Sequence, residues 1–541
     1  MLQIKACRRQ GADYLTPTLM PEVLSSTASL DDYAIVVHSS DNVAVATKPI
    51  AKGTRFKSAG GVIEIHGDVL PAQRFAICEI PSAAFVRQYR EPIGTSLGIA
   101  PGQLVDHSNM SDEVPVVRDI PADLHNPQPA YNPENERPTF LGFRRPDGRV
   151  GTRNFILIVP TSMCASHEAL QISLLAEFTL YSREKFPNVD GVTAIPHNKG
   201  CGCQDGQPLD VLLRTLSNYA DHPNVGGVIL LELGCEKTNL SVVEAYLEKL
   251  GRTLDKPLVR IGIQQVGGTQ AAINAGLKAI EQMLPTVNSA HHKPVSISEL
   301  VLGVKCGGSD AFSGISANPA LGHASDLLIR NGGTVLMTEV PEFCGAEHLL
   351  AHRAKDTTTA RAVYDLVDWY KQYAAHAGAD PAQNPSPGNK KGGLLNITIK
   401  SLGAIAKAGT SRIEGVTDYA TPPSGHGLFL MQGPGYDQES TPGLVAAGAT
   451  VVVFTTGRGS TIGNAIAPVI KLASNNDVFR RMSGDLDLSA GDILERRSNV
   501  AAIGADVFEH VRRVASGEVL AKAEILKHRE FQVWAETGVS L

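Results

Sequence analysis

Leu300-Val301-Leu302-Gly303-Val304 runs almost directly into Cys306-Gly307-Gly308-Ser309-Asp310-Ala311-Phe312-Ser313-Gly314-Ile315-Ser316-Ala317-Asn318, a short apolar run followed by a polar, glycine-rich loop. An apolar run of this length bounded by glycine reads as a buried strand, and the loop behind it carries the chemistry. Gly307 and Gly308 let the backbone come close to a ligand. Ser309, Asp310, Ser313 and Asn318 offer hydrogen bonds to hydroxyls or carboxylates, and Cys306 offers a soft metal ligand. The structural alternative is an elaborate Gly/Ser turn.

The same unit recurs along the chain. Phe155-Ile156-Leu157-Ile158-Val159 leads to a turn with Cys164. Gly227-Val228-Ile229-Leu230-Leu231-Glu232-Leu233 leads to Gly234-Cys235-Glu236 and then to a helical pattern with Val242, Val243, Tyr246 and Leu250 on it. Thr450-Val451-Val452-Val453-Phe454 leads to Thr455-Thr456-Gly457-Arg458-Gly459. Strands alternating with Gly-rich turns and amphipathic helices predict an α/β body with largely parallel sheets, whose ligands gather at the carboxyl ends of the strands. Cys164, Cys235 and Cys306 all fall at such ends.

Ahead of this body the pattern differs. Ala34–His38 and Asn42–Ala46 flank a Ser-Ser-Asp turn as hairpin strands do, and further short strands are predicted at 61–66 and 74–80. The expected organisation is an N-terminal extension over 1–27, a small β-rich domain over 28–115, and a proline-rich linker over 116–138. Two α/β units follow, over 139–380 and 381–541, divided by the Pro/Gly-rich stretch 375–393.

With 541 residues, 43% hydrophobic and 19% charged, the chain is an ordinary globular protein of several cores. A net charge of −6 without a Lys/Arg block argues against nucleic acid as a partner. The N-terminus lacks a signal-peptide core and no apolar run is long enough to span a bilayer, so no membrane partner and a cytoplasmic location are expected. Eight cysteines are too few for a disulfide scaffold and are expected as thiols. The size and low charge are compatible with a homodimer.

Three further clusters carry candidate chemistry. Gly457-x-Gly459-x-x-x-Gly463 lacks the small residue at Ile462 that a dinucleotide fold needs, so Arg458 reads instead as a carboxylate anchor or as a brace for its loop. His197-Asn198-Lys199-Gly200-Cys201-Gly202-Cys203-Gln204-Asp205 gathers imidazole, ammonium, thiol and carboxylate in one loop, although Cys-x-Cys is not zinc spacing. His38-Ser39-Ser40-Asp41-Asn42 sets an imidazole and two polar side chains on a hairpin tip, where simple turn chemistry is the alternative.

Gly142-Phe143-Arg144-Arg145-Pro146-Asp147-Gly148-Arg149-Val150-Gly151-Thr152-Arg153-Asn154 resembles the entry motif of the altronate/galactarate dehydratase family. Gly234-Cys235-Glu236, Cys306–Asn318, Thr338-Glu339-Val340, Asn384–Lys390 and 455–459 resemble that family in the same order, and the module around His38 resembles its SAF domain. The resemblance implies an iron-dependent lyase that removes water from an aldonic or aldaric acid, such as altronate or galactarate, to give a 2-keto-3-deoxy acid. Such chemistry needs a base for the C2 proton, a cation for the enediolate charge and help for the departing C3 hydroxyl.

In that frame His38, His197 and Asp310 are the candidates for proton transfer. Asp41, Asn42, Ser309, Ser313, Asn318, Lys390 and Arg458 are candidates for holding substrate. Cys164, Cys201, Cys235 and Cys306 are candidates for holding iron, either as mononuclear Fe2+ or as a labile iron–sulfur cluster; His and carboxylate ligation of one ferrous ion is the alternative. Where the family's module usually has Gly-His-Lys this chain has Ala72-Gln73-Arg74, which bears on the substrate more than on the reaction. A sulfolactate-type sulfo-lyase and a non-catalytic sugar-acid binding protein are the competing functions.

Overall fold

A computed structural model describes residues 27–58 and 61–534, so of the expected extension over 1–27 only Thr27 lies among the described residues. The chain divides into two compact units, 1–114 and 115–541.

The first unit is strand-rich. Ala34–Ile35, Val43–Ala46 and Arg74–Ala76 form one antiparallel sheet, and Phe85–Gln88, Glu91–Ser96 and Met110–Ser111 another. Its core gathers Ala44, Ala46, Ile50, Phe56, Ile65, Val69 and Phe75. The tip residues have local work to do. Asp41 is buried, and its carboxylate accepts from the backbone N–H of His38, Tyr89 and Arg90 at 2.9–3.1 Å. Tyr89 and Arg90 have φ of 61° and 72°, an unfavourable region for side chains of this size, and Asp41 anchors both amides there. Asn42 locks the same hairpin through Phe85 O and Arg87 N. In the departing Ala72-Gln73-Arg74, Gln73 closes a turn onto Leu70 N, and Arg74 is buried with its Nε on Gln88 Oε1 at 2.7 Å.

The second unit is built on two parallel sheets. The smaller takes β1 (Phe155–Pro160), β2 (Gly191–Ala194), β3 (Val225–Glu232) and β4 (Leu258–Gly262) in the order β2-β1-β3-β4. The larger takes β5 (Val301–Cys306), β6 (Thr334–Met337), β7 (Ile413–Thr417), β8 (Gly427–Met431), β9 (Val451–Thr456), β10 (Val469–Ala473) and β11 (Leu488–Ser489) in the order β7-β8-β6-β5-β9-β10-β11. Every pairing within the larger sheet is parallel. Strands β1, β3, β5, β6 and β9 are almost wholly buried, as continuous Val/Ile/Leu runs require when helices cover both faces. Among these helices are α1 (Ser166–Thr179), α2 (Gln207–Asp221), α3 (Ala317–Arg330) and α4 (Asp437–Ala446).

The expected division at 380/381 does not separate sheets. β5 and β6 precede it, β7 to β11 follow it, and β5 pairs with β9 along its length. A Pro/Gly-rich stretch ends a helix or strand, but parallel neighbours can come from far apart in sequence, so it does not by itself mark a domain edge. The 116–138 segment is also pinned to this body: Asn126 Nδ2 donates to His352 O and Ala354 O, and Asn132 N to Arg330 O.

The Gly142–Asn154 motif acts as a clasp. Arg145 donates to Pro223 O and Arg153 O, Thr152 Oγ1 to Thr450 O, and Asn154 Nδ2 to Asn188 O and Val287 O. Arg153 is buried, paired with Glu524 at 2.7 and 2.9 Å and donating to Val514 O. Losing one partner of such a pair leaves an uncompensated charge, so Arg153→Ala is expected to cost about 3 kcal/mol. A lowered urea midpoint in equilibrium unfolding would register it; an unchanged midpoint would contradict it.

Candidate active site

The loops after β5 and β9 meet where the order of the larger sheet reverses. Chain leaving β5 turns toward β6, chain leaving β9 turns toward β10, and a crevice opens between them, as open α/β sheets place their ligand sites. The two loops hold each other through Gly307 N to Thr455 O at 3.1 Å and the amides of Gly457 and Arg458 to Gly308 O at 3.1 and 2.9 Å. Two glycines are sterically required. A Cβ on Gly307 would stand 2.5 Å from Asp437 Oδ2, and one on Gly457 2.1 Å from Asp310 Cγ.

Beneath the crevice lies a buried charge network. Lys305, the last but one residue of β5, reaches Glu339 Oε1 at 2.5 Å, Asp437 Oδ1 at 3.0 Å and Ser440 Oγ at 2.6 Å. Lys407 reaches Glu342 Oε2 at 2.6 Å, Cys306 Sγ at 3.1 Å and Glu339 Oε2 at 3.6 Å. Lys400 adds Glu342 Oε1 at 3.3 Å and Asn384 Oδ1 at 2.9 Å. Lys305 and Lys407 are fully inaccessible to solvent, and Glu339 and Glu342 nearly so. Burial, reinforced by the charge of Glu342, pushes the Glu339 carboxyl up to about 8, whereas Lys407 and Lys400 override burial and hold Glu342 well below the carboxylate range. Burial and Glu342 push the Cys306 thiol up to about 12. Glu339 also has a φ of 78°, a backbone strain located at this site.

A cavity of about 640 Å³ opens above this network. Cys306, Glu339, Lys400 and Asp437 line it together with Asn384, Ser386, Asn389, Tyr436 and Glu439, and Tyr370, Tyr373 and Trp534 form an aromatic wall. Burial raises the Glu439 carboxyl to about 7, against the opposing charge of Lys199. That interaction brings the 197–206 loop of the smaller sheet close to the same cavity.

The residues expected from sequence divide between this site and the scaffold. Ser309 Oγ is buried without a hydrogen-bond partner beside the cavity. Arg458 is exposed on the loop after β9 and Lys390 is exposed on the short helix Pro387–Lys391, Arg458 Nε lying 3.9 Å from where a Cβ on Gly388 would sit. Asp310 is a knot instead, accepting from Ser313 N and Oγ, Ser474 Oγ and Asn475 Nδ2 at 2.8–3.2 Å. Ser313 is spent on that knot. Asn318 is held between Gly403 O and Thr455 Oγ1.

His197 is buried with both ring nitrogens occupied: Nε2 donates to Pro160 O at 2.9 Å, and Nδ1 accepts from Lys199 N at 3.2 Å. This fixes one neutral tautomer and ties the 197–206 loop to β1. His38, in the first unit, has its Nδ1 engaged by Ser40.

The cysteines separate as well. Cys306 is buried in the charge network, while Cys164, Cys201 and Cys235 are exposed on the loops after β1, β2 and β3. Those loops touch: Met163 N donates to Lys199 O, and Cys201 Sγ lies 4.0 Å from Cys235 O. Glu236 clamps the Cys235 turn, accepting from the amides of Leu233, Gly234 and Cys235 and from Thr161 Oγ1 and Ser162 Oγ; against burial these donors hold its carboxyl low.

Among the described residues, one group of side chains has donors close enough together for a metal. Ligand atoms of Cys306, Glu339 and Glu342 lie within 4.8 Å of one another and could hold an ion. Three ammonium groups already compensate that set, and a dication there would have to displace them. The Cys164, Cys201 and Cys235 thiols stand exposed on neighbouring loops, and their sulfurs are not among the ligand atoms that lie this close together.

Three profiles of one family match the chain in succession: the Altronate/galactarate dehydratase SAF domain over 32–113, the D-galactarate dehydratase/Altronate hydrolase second domain over 142–288, and the D-galactarate/Altronate dehydratase C-terminal domain over 297–539. The altronate dehydratase of Bacillus subtilis is 34% identical over 94% of this chain and 99% of its own length. The chain belongs to the altronate/galactarate dehydratase family. It is accordingly an enzyme, a carbon–oxygen lyase of the hydro-lyase class. The galactarate dehydratase (L-threo-forming) of Escherichia coli is 36% identical over 90% of this chain and 93% of its own. The (2R)-sulfolactate sulfo-lyase subunit beta of Chromohalobacter salexigens is 35% identical over 73% of this chain and 96% of its own.

The residues that sequence reasoning missed are Lys305, Glu339, Glu342, Lys400, Lys407 and Glu439. The available signal was charge in apolar surroundings: Lys305 interrupts a strand, and Lys407 stands in Ile405-Ala406-Lys407-Ala408.

Two outcomes follow from the geometry. Lys407→Met strips Glu342 of its nearest ammonium, and a loss of about 3 kcal/mol or more in thermal unfolding is expected. Burial lowers His197 to about 4, below its unfolded value near 6.5, so its contribution to stability is present above pH 6.5 and lost as pH falls toward 4. Melting temperatures across pH 4–7 should therefore fall less steeply in His197→Gln than in the parent.

Proposed function

We propose that this chain dehydrates an aldonic or aldaric acid, of the kind named for its altronate and galactarate relatives, to a 2-keto-3-deoxy acid. The observation that carries the reading is the pair of carboxyls with raised pKa in one cavity, Glu339 at about 8 and Glu439 at about 7, beside the Lys400 ammonium. Carboxyls poised near neutrality by their surroundings are suited to acid–base work.

In this proposal Glu439 takes the C2 proton as its carboxylate. Lys400 and Arg458 hold the substrate carboxylate, so the negative charge that develops on it is met by fixed cations. Glu339, protonated at neutral pH, delivers its proton to the C3 hydroxyl as the C3–O bond breaks, and water leaves. The resulting enol becomes the 2-keto acid by taking a proton at C3. Ser309 Oγ, lacking an internal partner, supports a role as a hydroxyl contact, and Lys390 a role as a second anion contact at the rim.

Iron is proposed on Cys164, Cys201 and Cys235, where it would supply Lewis-acid activation of a substrate oxygen. A second reading, sulfite elimination from a sulfonated hydroxy acid, draws on the likeness to the sulfo-lyase subunit.

Anaerobically purified enzyme should be incubated with altronate, galactarate and (2R)-sulfolactate, and 2-keto acid and sulfite scored separately. Keto acid from a sugar acid without sulfite is expected; sulfite release from sulfolactate alone would replace dehydration with the second reading. Glu439→Gln should lower kcat by about 100-fold or more with little change in KM, as expected for loss of a general base. For the metal, Cys235→Ser is expected to lose most of the bound iron and acid-labile sulfide that the parent carries. Iron retained in full by Cys235→Ser would remove the thiolate site.

A further inference from the structure

A second cavity, of about 530 Å³, shares no lining residue with the first. It lies beside the amino end of β7, an edge strand of the larger sheet. Its wall includes Arg330 at the last residue of α3, Arg353, and Arg412 immediately before β7, so it borders the amino ends of the strands whose carboxyl ends build the active-site crevice.

The charges of this lining are not balanced. Three guanidinium groups face it against one carboxylate, Asp326. Asp326 is already saturated by the amides and hydroxyls of Thr410 and Ser411, at 2.6–3.0 Å. Arg412 is neutralised by a two-pronged pair with Glu414 at 2.7 and 3.2 Å, and its Nη1 donates to Asn126 O. Among the described residues Arg330 and Arg353 form no ion pair, although the charge of Asp326 is near enough to act on Arg353. The guanidinium of Arg353 spends Nη2 on Ser411 O at 2.7 Å, and its Nε is buried without a hydrogen-bond partner. A desolvated cation with an unmatched donor is costly to hold, and an anion placed in the cavity would relieve that cost.

The facing wall has the opposite character. It is the segment Asn126-Pro127-Gln128-Pro129-Ala130, where Pro127 and Pro129 have no N–H to donate. That segment brings the Gln128 amide, which suits hydroxyl hydrogens, while Asn126 O is engaged by Arg412. The volume lies in the range of small-metabolite sites.

We propose that this cavity is a second binding site, for a small hydroxylated acid whose carboxylate or phosphate group sits on Arg330 and Arg353 while its hydroxyls meet the Asn126–Ala130 wall. The site also has a physical route to the first cavity. α3 carries Arg330 at one end and Asn318 near the other, about 20 Å away for a helix of 14 residues. Asn318 in turn receives the Thr455 hydroxyl from β9.

The test is isothermal titration of the full-length enzyme at constant ionic strength with D-gluconate and, separately, inorganic phosphate. Arg458→Gln serves as the background, to weaken binding at the first cavity. Saturable one-to-one binding of either probe is expected, about tenfold weaker when Arg330→Gln is added. Gluconate alone marks a carboxylate site and phosphate alone a phosphate-ester site. Arg330 is exposed, so its replacement should leave the fold intact; Arg353→Lys, which keeps the charge but loses the fork, is expected to weaken binding as well. The proposal is overturned if neither probe binds, or if binding is the same in the Arg330→Gln and Arg353→Lys backgrounds as without them.

Discussion

Glu339 and Glu342 lie buried at the carboxyl ends of the larger sheet, and they can stay there only because Lys305, Lys407 and Lys400 are brought to them. An uncompensated charge in such a place costs several kcal/mol, more than one side chain's packing returns. The lysines come from separate elements: Lys305 from β5, Lys400 and Lys407 from the helical segment before β7. Compensation therefore requires β5, the turn after β6 and that helical segment to be in register together. The network is a constraint on the whole sheet as much as a feature of the site.

The same arrangement explains why the cavity can do acid–base chemistry. Two like charges a few ångströms apart cannot both be comfortable, so Glu342, nearest Lys407, keeps its charge and Glu339 is driven toward the protonated form. Glu439, on α4, reaches a similar state through burial, with the charge of Lys199 opposing it. Carboxyls in different surroundings thus acquire different protonation states, which is what separates an acid from a base at one pH.

Several polar residues that look chemical in the sequence hold tight turns together, for a common reason. Asp41, Asp310 and Glu236 each accept several backbone or hydroxyl donors at tight turns, and His197 has a partner on both nitrogens. Tight turns at strand ends leave backbone amides without ladder partners, and something must satisfy them. A short acid or an imidazole serves well, so the residue types that catalysis favours are also those that turn construction favours.

The alternation of apolar runs with glycine-rich turns was enough, in the sequence, to determine parallel α/β sheets and a β-rich module ahead of them. Periodicity and turn residues are local properties and survive in one dimension. The position 380/381 is not a boundary between sheets, because the pairing of β5 with β9 joins residues about 150 positions apart. The charge network was equally invisible: Lys305, Glu339, Glu342 and Lys407 are ordinary letters until folding removes water from around them. Only the tertiary structure decides which charges are buried together, because desolvation and Coulomb attraction depend on distance in space and not on spacing along the chain.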